Sequence, residues 1–132
     1  MALLTIEDII SKKENVKEEG KEQKGLIYCE KFGGEFEAHS LSKGDLADVR
    51  AEMKKDPKRG TYKMIYMSID MLREKELLEA YGCGTNSLNI VERLFPRENQ
   101  ILAMTELLNK LNGLSRLDPK EIYLKVSEET KN

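Results

Sequence analysis

Along the chain the apolar positions change period twice, and each change marks a different kind of element. Ile6, Ile9 and Ile10 recur at helical spacing behind Thr5, and Asp8 three residues after that threonine completes a capping-box pattern with the shorter acid. A short amphipathic helix is predicted there. From Ser11 to Lys24 the only sizeable apolar residue is Val16, set among many Lys and Glu. Little burial is available to offset the entropy of ordering that stretch, so a solvated linker or frayed extension is expected. The period then drops to two. Leu26, Tyr28, Glu30 and Phe32 alternate with Ile27, Cys29 and Lys31, Gly33-Gly34 follows, and Glu35 to His39 alternates again. This is a β-hairpin signal, with Gly-Gly supplying the positive φ angles of a two-residue turn. No second pair of strands extends it, and an isolated hairpin is marginal in water, so its apolar face must pack on helices.

Beyond Ser42 the period returns to that of a helix. Ser42 with Asp45 predicts an N-cap, and Leu46, Val49 and Met53 form a stripe that stops near Asp56-Pro57. After a loop over Asp56 to Gly60, Met64, Met67 and Met71 line one helix face and Ile65, Ile69 and Leu72 an adjacent one. So wide an apolar arc predicts the central helix of the core. Glu74 to Tyr81 reads as a short helix ended by Gly82 or Gly84, and Thr85 or Asn86 as the cap of another that carries Leu88, Val91, Leu94 and Phe95. Pro96 separates it from a last long stripe, Ile101, Met104, Leu108 and Leu111, which runs to Gly113. A final short helix from Asp118-Pro119, with Ile122 and Val126 on one face, precedes a polar tail, Ser127 to Asn132, expected to be disordered. The predicted class is mainly α with a small N-terminal β-hairpin (α+β), a single helical domain of about five helices. Its expected organisation is a short helix and charged linker over 1–24, a hairpin plus helical core over 25–113, and a short helix and tail over 114–132.

Composition supports that picture and narrows the chemistry. With 132 residues the chain suits one domain with a real core. Aromatics are only 6% and Trp is absent, so Leu, Ile, Val and Met must fill the interior. Lys and Arg (22) nearly balance Asp and Glu (24), with the signs interspersed. No basic field exists to release counterions from nucleic acid, and nucleic-acid binding is not expected. Cys29 and Cys83 fall in no metal-ligand spacing and read as reduced structural thiols, with a disulfide between them as the alternative. The opening Met-Ala-Leu-Leu-Thr has no basic leader pattern, and no apolar run approaches the ~20 residues of a membrane span, so a cytoplasmic chain without membrane contact is expected.

Catalytic patterns are sparse. The single histidine, His39, has no Cys, Ser or acid at a motif spacing, and it reads as a solvated or edge-of-core residue. Gly33-Gly34 precedes a strand where a phosphate loop needs a helix, and the many acids lie in a lysine-rich surface context. No catalytic residue, metal ligand or cofactor site is assigned. Flexible, polarizable methionines and the isoleucines of the first helix are the features suited to binding apolar partners.

The order of these motifs resembles the XkdN-like tail assembly chaperones of contractile-tailed phages and phage-like elements. The resemblance spans roughly Leu26 to Gly113: the hairpin Lys31-Phe32-Gly33-Gly34-Glu35-Phe36-Glu37-Ala38, a helix start near Ser42-Lys43-Gly44-Asp45, and Lys63-Met64-Ile65-Tyr66. It continues through Leu77-Leu78-Glu79-Ala80-Tyr81-Gly82, then Phe95-Pro96-Arg97-Glu98 and the last stripe. Cys83-Gly84-Thr85-Asn86 and the charged linker depart from it. The resemblance implies a non-enzymatic chaperone that binds the tape-measure protein, keeps it soluble until tail-tube subunits polymerise, and is absent from the finished virion. It also implies contact with the tail-tube protein in some relatives, and it allows homo-oligomerisation, since one small domain covers little of a long client. A structural adaptor or completion protein of a phage or prophage particle is the alternative. The candidate protein-binding residues are Ile6, Ile9, Ile10, Met71, Met104 and Leu108.

Overall fold

A computed structural model describes residues 3–125. The chain opens with two short helices, α1 (Ile6–Ser11) and α2 (Lys13–Glu19), which meet at Lys12. The capping box is made in both directions: the Asp8 N–H donates to the Thr5 hydroxyl at 3.2 Å and the Thr5 N–H to the Asp8 carboxylate at 2.9 Å. That second bond holds the Asp8 carboxyl below its ordinary pKa. The expected linker is thus largely helical. Lys and Glu are good helix formers, and a capped helix directly upstream spares α2 part of the cost of nucleation. Neither helix has a buried residue, so together they form an arm that stands off the body.

The hairpin pairs β1 (Lys24–Cys29) with β2 (Gly34–His39) antiparallel, Ile27 opposite Phe36 and Gly25 opposite Ala38. Gln23 and Ser40 extend it by one rung: the Ser40 N–H donates to the Gln23 carbonyl and the Gln23 N–H to the Ser40 hydroxyl, both at 2.8 Å. Its turn is not the expected Gly-Gly pair. Glu30–Phe32 form a 3₁₀ turn, Gly33 alone takes positive φ (69°), and Gly34 begins β2. The reason is aromatic packing. The turn swings Phe32 out of strand alternation into edge-to-face contact with Phe36 and Phe95, with ring centroids 5.9 and 6.3 Å away. Ile27, Phe36 and Ala38 face the core, while Leu26 and Tyr28 point outward.

Two long helices follow, α3 (Lys43–Lys55) and α4 (Pro57–Ser68). Ser42 caps α3 as predicted, accepting from the Asp45 N–H at 3.1 Å. The loop expected over Asp56 to Gly60 is a one-residue joint. Asp56 ends α3 and caps α4 by accepting from the Lys58 and Arg59 N–H groups, and Pro57 takes the first helical position, where its missing N–H costs nothing. Gly60, in the first turn of α4, lies directly on the Met53 backbone of α3.

The central helix is shorter than its apolar arc. Ser68 is its last residue, Ile69 is extended, and Asp70–Arg73 form a 3₁₀ turn. Ile69 and Leu72 still reach the core, each fully buried, and Met71 between them is turned out. Next come α5 (Lys75–Ala80), α6 (Asn89–Leu94) and α7 (Glu98–Leu111). Gly82 (φ 63°) ends α5 in a Schellman arrangement, with the Cys83 N–H donating to the Leu78 carbonyl at 3.1 Å. Neither Thr85 nor Asn86 caps α6; turns carry the chain to Leu88, and no side chain serves as cap. The expected class holds: of the seven helices among the described residues, five, α3 to α7, surround the single hairpin, and α1 and α2 precede it.

Helix α4 contacts α3, α6 and α7, and α7 also reaches β1. Met64, Ile65, Ile69, Leu72, Ile90 and Leu108 are the largest fully enclosed side chains. Asn112 ties the end of α7 to the segment after β2, accepting from the Leu41 N–H and donating to the Leu108 carbonyl. Cys29 is half-buried, Cys83 is buried, and both are free thiols. The predicted helix from Asp118 is absent over 114–125: Asp118 holds a single turn there, accepting from the Lys120 and Glu121 N–H groups. Val126 and the polar tail lie outside the described residues. Among the described residues no helix is long and apolar enough to cross a membrane.

Candidate apolar binding site

The clearest apolar concavity is assembled by the hairpin turn and the segment after α4. Phe32, Phe36, Met71, Leu77, Tyr81 and Leu94 line a pocket of about 260 Å³. Its walls are fixed from behind. The Lys31 ammonium sits 5.1 Å from the centroids of both Phe32 and Phe95 and donates to the Leu94 carbonyl, which holds the aromatic wall in place. Met71 forms part of the rim and is 54% exposed. A pre-formed apolar pocket with a flexible thioether at its rim suits an apolar side chain presented by another helix.

The six candidate residues separate. Ile6, Ile9 and Ile10 are at least 58% exposed, and none of the described residues of the body buries them. Met104 and Leu108, at 5% and 0% exposure, belong to the core, and Met104 also lines a cavity of about 500 Å³ with Ile27, Tyr28 and Leu107. The stripe of α7 faces α4 and the hairpin, and its exposed apolar residues, Leu102 and Leu107, lie off that stripe. Periodicity identifies an apolar face without saying what the face meets. Of the methionines, Met64 is buried, Met67 half-buried and Met71 exposed. Nothing in the sequence pattern marks Phe32, Leu77 and Tyr81 as pocket residues. Phe32 read as a strand position, and only the 3₁₀ turn carries it to the pocket.

A second, polar basin of about 740 Å³ lies beside His39, lined also by Glu22, Glu52, Arg59, Asp70 and Arg73. His39 Nε2 is 2.7 Å from an Asp70 carboxylate oxygen, while Nδ1 is 2.9 Å from the Ser40 carbonyl and 3.4 Å from Glu22. Both ring nitrogens face acceptors, an arrangement satisfied fully by the doubly protonated ring. His39 accordingly titrates above its ordinary value, first because the Ser40 carbonyl accepts from it and then through Asp70, against the opposing effect of partial burial. The Asp70 carboxyl is held below its usual range, first by the His39 hydrogen bond and then by Arg73, which also donates to the Tyr66 and Met67 carbonyls. With both nitrogens engaged, this histidine acts as a clasp between β2 and the turn that carries Met71.

Because the folded pKa of His39 lies above the unfolded value of 6.5, its contribution to stability is complete below that pH and is lost as pH rises through the folded value. The contribution of Asp70 has the opposite sign and is lost as pH falls below 3.8 through its depressed value. Urea midpoints measured between pH 6 and pH 9 should therefore decline for the wild type. His39→Gln should flatten that decline, and an unchanged slope would refute the clasp.

No protein-family model matches the chain, and no curated protein or solved structure matches it. The resemblance to XkdN-like chaperones therefore rests on residue pattern.

Proposed function

We propose that the chain is a non-catalytic binding protein that acts as a phage tail assembly chaperone, holding the tape-measure protein soluble until the tail tube polymerises. The observation that carries this reading is the uncovered stripe of Ile6, Ile9 and Ile10 on a fully capped helix that the body leaves free. A soluble chain that keeps three isoleucines in water has apolar surface to offer a partner. The pocket behind Met71 supplies a second, pre-formed apolar contact, and interspersed surface charge would keep a complex with a long amphipathic client in solution. The order of hairpin and helices from Leu26 to Gly113 gives the reading its phage context, with the host cytoplasm as its place of action and the tail-tube protein as a further contact.

Co-expression with a long helical tape-measure protein tests it. The client should co-purify with this chain and stay in the soluble fraction, and a client equally soluble alone with no complex formed would end the chaperone reading. The free arm also suits a structural adaptor, since it could lodge permanently in a neighbouring subunit. Mass spectrometry of purified particles separates the two, because an adaptor is retained and a chaperone is not.

A further inference from the structure

The arm and the hairpin carry complementary surfaces, and both are exposed among the described residues. Through α1 and α2, Ile6, Ile9 and Ile10 are followed at steps of three and four by Lys13, Val16 and Lys17, so two lysines sit within the apolar stripe. On the hairpin, the outward residues of β1 are Leu26 and Tyr28, and directly across on β2 stand Glu37 and Glu35. A cleft of about 590 Å³ joins Leu26 and these two glutamates to Met71. Among the described residues, Lys13, Lys17, Glu35 and Glu37 form no salt bridge. The spacings also agree. Lys13 and Lys17 are one helical turn apart, about 6 Å along the axis, and Glu35 and Glu37 are two strand residues apart, about 6.7 Å. A helix lying along β2 brings both pairs into register while its isoleucines and Val16 cover Leu26, Tyr28 and Met71.

We propose that the arm of one copy docks on the outer hairpin face of a second copy, and that the exchange is reciprocal about a two-fold axis. Helices of six and seven residues without tertiary contacts are marginal in water, so the arm needs a surface to hold it helical. Its own hairpin is poorly placed to serve. The connection Gly20–Gln23 is held at both ends, by the Lys21–Glu18 ion pair at 2.7 Å and by the rung that Gln23 makes with Ser40, with Glu22 beside His39 between them. A neighbour's arm leaves these contacts intact. The exchange stands whether or not the client is a tape-measure protein. In a chaperone it would keep the isoleucines covered until a client displaces them.

Charge reversal tests the proposal on the full chain. Sedimentation velocity should give a dimer for the wild type. The pair Lys13→Glu and Lys17→Glu should weaken it at least about tenfold by setting like charges against each other, and the pair Glu35→Lys and Glu37→Lys should do the same. Mixing the two variants should restore a dimer, because each arm then meets a face of opposite charge in the other chain. All four positions are exposed, and a cooperative urea transition of the body like that of the wild type would certify the fold of each variant. A monomeric wild type at the highest attainable concentration, a dimer indifferent to the reversals, or a mixture that stays monomeric would each overturn it; the first is the outcome for an arm docked on its own chain. Client capture is measured separately, so failure here and failure of the chaperone reading are distinguishable.

Discussion

Gly60→Ala should destabilise the protein by about 3 kcal/mol and lower its melting temperature by roughly 10 °C. A Cβ at Gly60 would lie 2.1 Å from Met53 Cγ, 2.6 Å from Met53 Cα and 2.7 Å from the Met53 backbone nitrogen. The side chain could rotate away, but the backbone of α3 cannot yield without opening its crossing with α4. In an exposed helix alanine is the better residue, so the unfavourable sign here is purely one of contact. Gly44→Ala is the control. It lies in the first turn of α3 with only the Ser42 hydroxyl nearby, 3.9 Å from the added carbon, and should leave stability equal or slightly higher. Thermal denaturation of both variants checks the pair, and equal melting temperatures would contradict the close crossing.

The second large effect is expected at Leu108. It is fully enclosed on α7, and Leu108→Ala should cost about 2–5 kcal/mol through lost burial and the cavity left behind. Met71→Ala should change stability by no more than about 0.5 kcal/mol, since the side chain is mostly in solvent. Client capture should respond the other way, weakened by Met71→Ala and preserved by Leu108→Ala below its melting temperature. Urea denaturation alongside pull-down measures both, and a Leu108 variant that stays stable while losing the client would place that residue back on a binding surface.

These two positions show where sequence reading reaches and where it stops. Local chemistry was legible. Ser42 and Asp45 mark the start of α3, Thr5 and Asp8 that of α1, and the alternation from Leu26 to His39 marks the hairpin, because caps and strand parity are properties of a few neighbouring residues. The α7 stripe is legible as a stripe, but periodicity does not say whether its Met104 and Leu108 meet α4 or a partner. Gly60 carried no signal, since its role depends on a backbone seven residues back returning alongside it. The break at Ile69 was likewise hidden: Ile69 and Leu72 keep helical spacing and are both buried, yet they reach the core from an extended residue and a 3₁₀ turn. Val16 alone among charges gave α2 no apolar face of its own, and its helix follows from propensity and the capped turn upstream.

For the candidate site the division is similar. The isoleucines of the arm were legible because an amphipathic helix outside the core pattern has few places to go. The pocket behind Met71 was not, since it needs Phe32 from the hairpin turn, Leu77 and Tyr81 from the α5 region and Leu94 from α6, three segments with no common period. Bringing them together is the work of the fold.

The central claim is that the arm's isoleucines are a working contact surface. Its most direct test is co-expression of a long helical tape-measure protein with the wild type, with the variant carrying Ile6→Ser, Ile9→Ser and Ile10→Ser, or with neither. The wild type should form a soluble complex, and the variant should melt within a few degrees of the wild type, because no arm residue is buried in the body. The variant should leave the client as insoluble as when it is expressed alone. A variant that captures and solubilises the client as well as the wild type does would contradict the claim.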